Sequence, residues 1–239
     1  MTTTPNLFFS CVDSRIQDHG SMYGRFHIGT FFRGQGLTLG NALRRTLLSE
    51  MPGLIITDVI IDGAGHEFAT LSGVEESVLD ILLNIKKLVF VPSSTNLINL
   101  KNFQAVALVK SCGPKKLIGS DIKLPPTVRC VTPKVHLATL TGGQEFSLRF
   151  TISIGNRNNF ESSKTDDISE IANKTLSFDK IPMPILKVNY VIKSLNAKQG
   201  SEYLVLEVWT DGSILPQEAV QFALKNLTNL FYKFASLGS

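Results

Sequence analysis

The feature that most constrains the fold is the run of residues 33–53, in which a glycine-containing turn leads into one helix. Thr38 is the predicted N-cap, because its hydroxyl can accept a hydrogen bond from a free backbone N–H of the first turn. Pro52 and Gly53 mark the end of the helix. The run therefore predicts one helix that begins near Thr38 and ends before Pro52.

This helix carries two different faces. At about 100° per residue, one face comprises Leu39, Ala42, Leu43, Thr46 and Leu47. The opposite face comprises Asn41, Arg44, Arg45 and Leu48. The first face is typical of core packing, whereas solvent alone would favour Glu or Lys around the leucine of the second. We therefore expect the helix to lie between its own core and a protein partner.

The glycines before the helix permit two interpretations. Gly34 and Gly36 match the start of a dinucleotide-binding pattern, G-x-G-x-x-G, but its third glycine would fall at Leu39 and the chain has Gly40 instead. Because a phosphate can bind at a helix N-terminus, a nucleotide-binding enzyme stays as an alternative. We favour the structural interpretation, in which glycine permits a tight turn and close helix packing.

Composition and spacing argue against catalytic and metal-dependent classes. Cys11, Cys112 and Cys130 show no C-x-x-C spacing, which disfavours a zinc site or a disulfide framework. No nucleophile–base set is evident, and no apolar run reaches the length of a membrane span. The net charge of +4 is small for a protein that binds nucleic acid directly. We predict no catalytic residue, no cofactor, no metal site and no membrane insertion.

Alternating apolar patterns between the ends of the chain predict antiparallel strands. These strands are expected at residues 23–32, 54–61, 66–70, 146–154, 185–193 and 203–210. The segment 66–70 is predicted to return beside 54–61. Residues 1–20 are expected to be weakly ordered. The polar stretch 155–180 is predicted to be a long surface loop with a short helix at 168–172.

Two further helices are predicted. Residues 73–88 carry an amphipathic stripe, with Glu75 and Glu76 placed to interact favourably with the N-terminal end of the helix dipole and Lys86 with its C-terminal end. Residues 216–235 form the end helix, in which Pro216 suits the first helical position. Apolar residues recur there with heptad-like spacing at Val220, Leu224, Leu227, Phe231 and Phe234. This seam predicts contact with the helix's own sheet and with a second copy of the chain.

Two runs resemble the signature of the α subunit of bacterial-type DNA-directed RNA polymerase, in its N-terminal assembly portion. The first is residues 36–48, G-L-T-L-G-N-A-L-R-R-T-L-L. The second comprises 66–68 (H-E-F), 73–78 (G-V-E-E-S-V) and 81–86 (I-L-L-N-I-K). Two short runs, C-V-D-S-R at 11–15 and Y-G-R-F at 23–26, look more like the chloroplast-encoded forms. We therefore expect a plastid location, with the bacterial cytoplasm as the alternative.

The resemblance implies an α+β fold in which one domain is inserted into another. Residues 1–52 and 184–239 would form the dimerisation domain, an antiparallel sheet with two helices. Residues 53–183 would form an inserted α+β domain that contacts the large subunits. Family members often continue into a C-terminal domain that contacts DNA and activators. This chain ends soon after its end helix, so we expect little or no direct DNA contact.

The resemblance further implies a non-catalytic subunit that homodimerises and serves as a platform for the β and β′ large subunits of a nucleotidyltransferase complex active in transcription. The residues expected to contact the large subunits are Arg44, Arg45, Leu48 and Lys86. The residues expected at the dimer interface are Leu39, Leu43, Leu47, Val220, Leu224, Leu227, Phe231 and Phe234. Considered without the resemblance, a dimeric adaptor unrelated to polymerase also fits.

Overall fold

The computed structural model describes residues 7–17, 20–93, 103–155, 176–177, 182–196 and 201–237. The strands are β1 (Phe8–Ile16), β2 (Met22–Phe32), β3 (Gly53–Ile61), β4 (Phe90–Pro92), β5 (Gln104–Cys112), β6 (Lys115–Ile118), β7 (Val128–Cys130), β8 (His136–Leu140), β9 (Glu145–Gly155), β10 (Leu176–Ser177), β11 (Ile185–Asn196) and β12 (Ser201–Thr210). The helices are α1 (Gln35–Ser49), α2 (Val78–Ile85) and α3 (Pro216–Leu237).

The chain divides into two compact units. The first unit comprises Met1–Met51 and Met183–Ser239, and the second unit comprises Pro52–Pro182. Both units combine antiparallel sheets with helices, so the predicted α+β class is confirmed. The predicted loop 155–180, including the helix at 168–172, lies outside the described residues except for Gly155 and the short strand β10.

The first unit is built on a four-stranded antiparallel sheet in the order β1-β2-β12-β11. α1 and α3 pack against the sheet and against each other. Alternate residues of β12, Leu204, Leu206 and Val208, are fully buried, as a strand with one covered face requires. The predicted strands at 185–193 and 203–210 are confirmed as a directly paired, antiparallel couple.

α1 begins earlier than predicted. The N-cap is Gly34, whose φ of 91° is left-handed, and the helix starts at Gln35. Thr38 is therefore inside the first turn, where its hydroxyl donates to the carbonyl oxygen of Gly34 at 3.4 Å. Glycine at the turn allows the chain to enter the helix sooner than a cap by Thr38 would require. The predicted end is confirmed, since Ser49 is the last helical residue.

Gly40 brings α1 close to the sheet. A Cβ atom added at Gly40 would lie 2.8 Å from a ring carbon of Tyr190 and 3.1 Å from Leu204. Both distances are too short for ordinary carbon contacts, so this position has room only for glycine. Leu43 and Leu47, on the same side of the helix, are 0% and 1% exposed. The packing role expected for this glycine therefore agrees with the geometry.

The expectation of a weakly ordered N-terminus is wrong for β1. Residues 8–16 pair with β2 along the edge of the sheet. Phe9 stacks on Phe26 with ring centroids 5.7 Å apart, and Phe8 lies 6.3 Å from Tyr203. The prediction failed because β1 lacks an apolar alternation of its own and is held by strand pairing and aromatic contacts.

The second unit contains a sheet in the order β10-β3-β9-β5 and two smaller ribbons, β4-β7 and β6-β8. The expectation that residues 66–70 pair with β3 is wrong, because β9 and β10 occupy the two edges of β3. α2 supplies the centre of the core through Val78, Ile81 and Ile85, each fully buried.

α2 is shorter than the predicted helix at 73–88. Its N-cap is Ser77, whose hydroxyl accepts a hydrogen bond from the backbone N–H of Asp80 at 3.2 Å. The residues before it extend toward β8: the Glu75 N–H donates to the Thr139 carbonyl at 3.0 Å. These backbone bonds compete with helix formation, so the glutamates lie outside the helix rather than in its first turn.

Glu76 instead joins the segment before α2 to β8. Its carboxylate accepts hydrogen bonds from the Thr139 backbone N–H at 2.6 Å and the Thr139 hydroxyl at 2.9 Å, and lies 2.7 Å from His136 Nε2. Burial on its own raises the pKa of Glu76, but the bonds from Thr139 and His136 outweigh it and hold the pKa below its ordinary value.

We predict that Glu76→Gln destabilises the second unit at neutral pH by about 1 kcal/mol, allowing for solvent screening of a partly exposed group. Because the folded-state pKa is lowered, the carboxylate stabilises the fold above its ordinary pKa and loses this effect as the pH falls through the lowered value. The difference between wild type and variant should therefore shrink in acid. Urea unfolding followed by far-UV circular dichroism, at neutral and at acidic pH, measures the difference in free energy of unfolding. Glu67→Gln, a change at an exposed glutamate, is the control. An equal difference at both pH values would contradict the assignment.

Candidate protein-interaction surface

The outward face of α1 divides into side chains that hold the helix on the sheet and side chains that do not. The Arg44 guanidinium donates to the Val188 carbonyl at 3.0 Å, and the Tyr190 hydroxyl donates to the Asn41 amide oxygen. Both contacts fix α1 to β11. The sequence alone does not distinguish these roles, because Arg44 and Arg45 are adjacent and of the same type.

Arg45 and Leu48 remain available on this face. Leu48 is 42% exposed, and Arg45 is also exposed. Across the described residues, the Arg45 side chain has no ion pair or hydrogen bond. A guanidinium next to an exposed leucine combines a planar, multi-donor group with an apolar anchor, a combination common at protein interfaces.

A carboxylate from β12 fixes the N-terminus of α1. Glu202 Oε1 accepts hydrogen bonds from the backbone N–H of Gly34 at 2.9 Å and of Gly36 at 3.0 Å. The negative charge also interacts favourably with the helix dipole. These are the N–H groups that a bound phosphate would need. The protein's own carboxylate therefore occupies the position required by the nucleotide-binding alternative.

α3 changes character along its length. Its first half is buried in the first unit, where Ala219, Val220 and Ala223 are each 0% exposed. Its second half carries large apolar side chains that are exposed. These are Leu230 at 48%, Phe231 at 63%, Phe234 at 68% and Leu237 at 82%. Several large apolar residues so exposed on one helix are typical of a surface that another protein covers.

An apolar groove of about 410 Å³ lies in the same unit, between the β1–β2 edge of the sheet and the two helices. The apolar side chains that line it are Leu7, Phe8, Phe9, Ile28, Phe31, Leu39 and Leu224. The predicted interface residues include Leu39 and Leu224 but none from β1. A possible signal was the pair of adjacent phenylalanines at 8 and 9, which is unusual in a segment expected to be weakly ordered.

The residues predicted for the dimer interface thus fall into three groups. Leu43, Leu47 and Val220 are fully buried in their own unit. Leu39, Leu224 and Leu227 are partly buried. Phe231 and Phe234 are exposed. Only the partly buried and the exposed residues have accessible surface that a partner could contact. The fully buried residues pack beneath that surface.

Lys86, the remaining predicted contact residue, belongs to the second unit. It is exposed and follows α2 directly. At helical spacing, its side chain shares the outward face of α2 with Leu79 and Leu83, which are 37% and 48% exposed. Neither leucine was among the predicted contact residues. The second unit therefore has its own candidate surface, also a cation beside exposed leucines.

The described residues contain no group of three or more His, Cys, Asp or Glu side chains placed to hold a metal ion. No helix among them is both long enough and apolar enough to cross a bilayer.

The fold and these surfaces define a module for protein–protein interaction. A profile of the RNA polymerase Rpb3/Rpb11 dimerisation domain matches residues 30–231. The chain is 51% identical to the DNA-directed RNA polymerase subunit alpha of Chlorella vulgaris, with 99% of this chain and 98% of that protein aligned. It is 40% identical to the subunit of the same name from Synechococcus sp. strain JA-2-3B'a(2-13), over 92% of this chain and 64% of that protein. It is 35% identical to the subunit of the same name from Chlorokybus atmophyticus, over 92% of this chain and 67% of that protein.

The chain therefore belongs to the family of DNA-directed RNA polymerase α subunits, as the two signature runs in its sequence indicated. It spans nearly the full length of the Chlorella relative and about two thirds of the other two.

We predict that Glu202→Ala lowers the free energy of unfolding of the first unit by about 1–2 kcal/mol, the usual effect of losing a helix cap. Glu202→Gln, which keeps an acceptor oxygen but loses the charge, should cost less. Trp209, the only tryptophan, lies on β12, so its fluorescence during urea unfolding reports on this unit. If both variants unfold like wild type, the carboxylate does not hold α1 in place.

Proposed function

We propose that this chain is a non-catalytic α-type subunit of a DNA-directed RNA polymerase, in which two copies pair and serve as the platform for the β and β′ large subunits during DNA-templated transcription. The observation that carries the proposal is the match of residues 30–231 to a dimerisation domain of RNA polymerase subunits. The exposed apolar half of α3 supports it from the physical side, because a free chain would expose this surface to water at a cost.

In this proposal the first unit forms the dimer. Phe231 and Phe234 of one copy would be buried against the apolar groove and helices of the other copy, together with Leu39, Leu224 and Leu227. In a two-fold symmetric dimer the same side chains of both copies would be buried, so each exposed aromatic residue would contribute its buried apolar area twice. The fully buried Leu43, Leu47 and Val220 would hold α1 and α3 in position.

The large subunits would bind on other surfaces. Arg45 would donate to acceptors on a large subunit while Leu48 is buried beside it, and Arg44 would mainly keep α1 on the sheet. In the second unit, Lys86 with Leu79 and Leu83 would form a further contact. Each site places a cation next to leucine, which favours a partner surface with carboxylate or carbonyl acceptors around an apolar depression.

A plastid location is part of the proposal. It is supported by relatives from algae, namely Chlorella vulgaris, Chlorokybus atmophyticus and Chaetosphaeridium globosum. The matches from Synechococcus keep the bacterial cytoplasm as the alternative. Immunolocalisation in the source organism decides between the two.

We predict that Phe231→Asp together with Phe234→Asp converts the dimer to a monomer, because each carboxylate would have to be desolvated in an apolar interface. Multi-angle light scattering measures the mass. The control is Tyr232→Asp, which removes an aromatic side chain of similar exposure, 72%, about 100° around the helix from Phe231. A monomeric wild type, or a control that dissociates equally, contradicts this interface.

We predict that Arg45→Ala reduces capture of a co-expressed large subunit by about tenfold or more, as expected for an interface arginine, while the dimer mass is unchanged. Lys225→Ala, which removes an exposed positive charge from α3, is the control and should capture normally. Co-purification and light scattering give both readouts. If Arg45→Ala breaks the dimer, the assignment of the two faces is wrong.

A further inference from the structure

The sheet of the first unit has a second face, opposite α1 and α3, that neither helix covers. Residues of β12 alternate between the two faces. Leu204, Leu206 and Val208 are buried on the helix side, whereas Tyr203 and Trp209 are on the other side and keep part of their surface exposed. This open face is continuous across β1, β2, β12 and β11.

Aromatic rings are grouped at two places on the open face. Tyr203 lies 5.4 Å from the His27 ring and 6.3 Å from Phe8, measured between centroids. Trp209 lies 5.0 Å from Tyr23, which is only 8% exposed, so the surface at this place belongs to Trp209. Tyr203 and Trp209 are on the same side of one strand, six residues apart, which corresponds to roughly 20 Å. The face therefore offers two ring clusters in a line.

A lysine accompanies each ring cluster: Lys193 is next to Tyr203, and the Lys187 ammonium lies over the Trp209 ring. In the register of β11 with β12, Lys193 lies opposite Tyr203 and Lys187 opposite Trp209. The ammonium group of Lys187 is 4.9 Å from the Trp209 ring centroid. Among the described residues, neither lysine forms an ion pair, although the charge of Lys187 helps to lower the pKa of Glu207, after the hydrogen bonds from Tyr23 and Arg25.

Among the described residues, the other charges of the open face are paired. Arg25 bonds to Glu207 at 2.9 Å and Arg15 to Asp13 at 2.8 Å. The face therefore keeps the net positive charge of the two lysines. The pKa of His27 on this face is lowered. Burial is the largest cause, and the positive charges of Lys193 and Arg25 lower it further, as expected on a positively charged face.

We propose that this open face binds single-stranded nucleic acid, with bases stacked on the partly exposed rings of Tyr203 and, once the Lys187 ammonium moves aside, Trp209, and with the phosphate backbone beside Lys187 and Lys193. Four-stranded sheets with exposed aromatic side chains and nearby cations suit unpaired bases, because every base has a ring face to stack and every nucleotide carries a negative charge. An acidic peptide would use the lysines but has no general use for the rings. Duplex DNA has its bases stacked internally and would leave the rings uncovered.

The test uses the full chain and a fluorescent single-stranded RNA of about 12 nucleotides, a length within the usual range of single-strand sites. Anisotropy titration should show saturable binding that weakens with salt. Lys193→Glu and Tyr203→Leu should each weaken binding by about tenfold or more. Lys193→Glu should also reduce the salt slope by about 0.7 per lost phosphate contact. The control is Lys116→Glu, the same charge change at an exposed position of the second unit, which should bind like wild type.

A single-stranded DNA of the same sequence shows whether the ribose is recognised or whether stacking and charge are sufficient. The proposal is supported if either single strand binds better than the duplex. Three results would overturn it: no saturable binding, preference for the duplex, or an equal loss with Lys116→Glu. Displacement of the RNA by polyglutamate at equal charge concentration would assign the face to acidic proteins instead. Light scattering of each variant checks the dimer, so failure here is distinguishable from failure of the proposed assembly function.

Discussion

The position of α1 depends on one carboxylate from the other end of the chain. Glu202 of β12 holds the backbone N–H groups at the start of the helix, and Gly40 lets the following turn approach the sheet closely. Arg44 fastens the middle of the helix to β11. Because α1 is fixed at several points to strands of its own unit, Arg45 and Leu48 are presented in a defined place. A partner that binds them does not have to order the helix first.

The same sheet separates two kinds of surface. On the helix side, apolar side chains of α3 and the neighbouring groove are suited to a second copy of the chain, where shape and burial dominate. On the strand side, partly exposed rings and two exposed lysines are suited to a flexible anionic polymer. The two surfaces lie on opposite faces of one sheet and share one side chain, Phe8, which lines the groove and also lies 6.3 Å from Tyr203 on the open face.

Local periodicity was sufficient for part of this structure. The buried side of α1 at Leu43 and Leu47 and its exposed side at Arg45 and Leu48 follow from 3.6 residues per turn, and β11 and β12 follow from alternation. Long-range contacts were not predictable. Glu202 is far from Gly34 in sequence, and nothing near either residue identifies the other. The start of α2 was misplaced because a serine cap and backbone bonds to β8 override a helical pattern that extends further toward the N-terminus.

The two units differ in when they can form during synthesis. The second unit is a continuous segment, so all its strands are available once residue 182 has left the ribosome. The first unit pairs β2 with β12, strands separated by more than half the chain. Its sheet cannot close, and Glu202 cannot reach α1, until the last strand has been made. A chain whose translation stops between residue 182 and β12 therefore contains the whole second unit but no closed sheet, and it cannot form the proposed dimer surface.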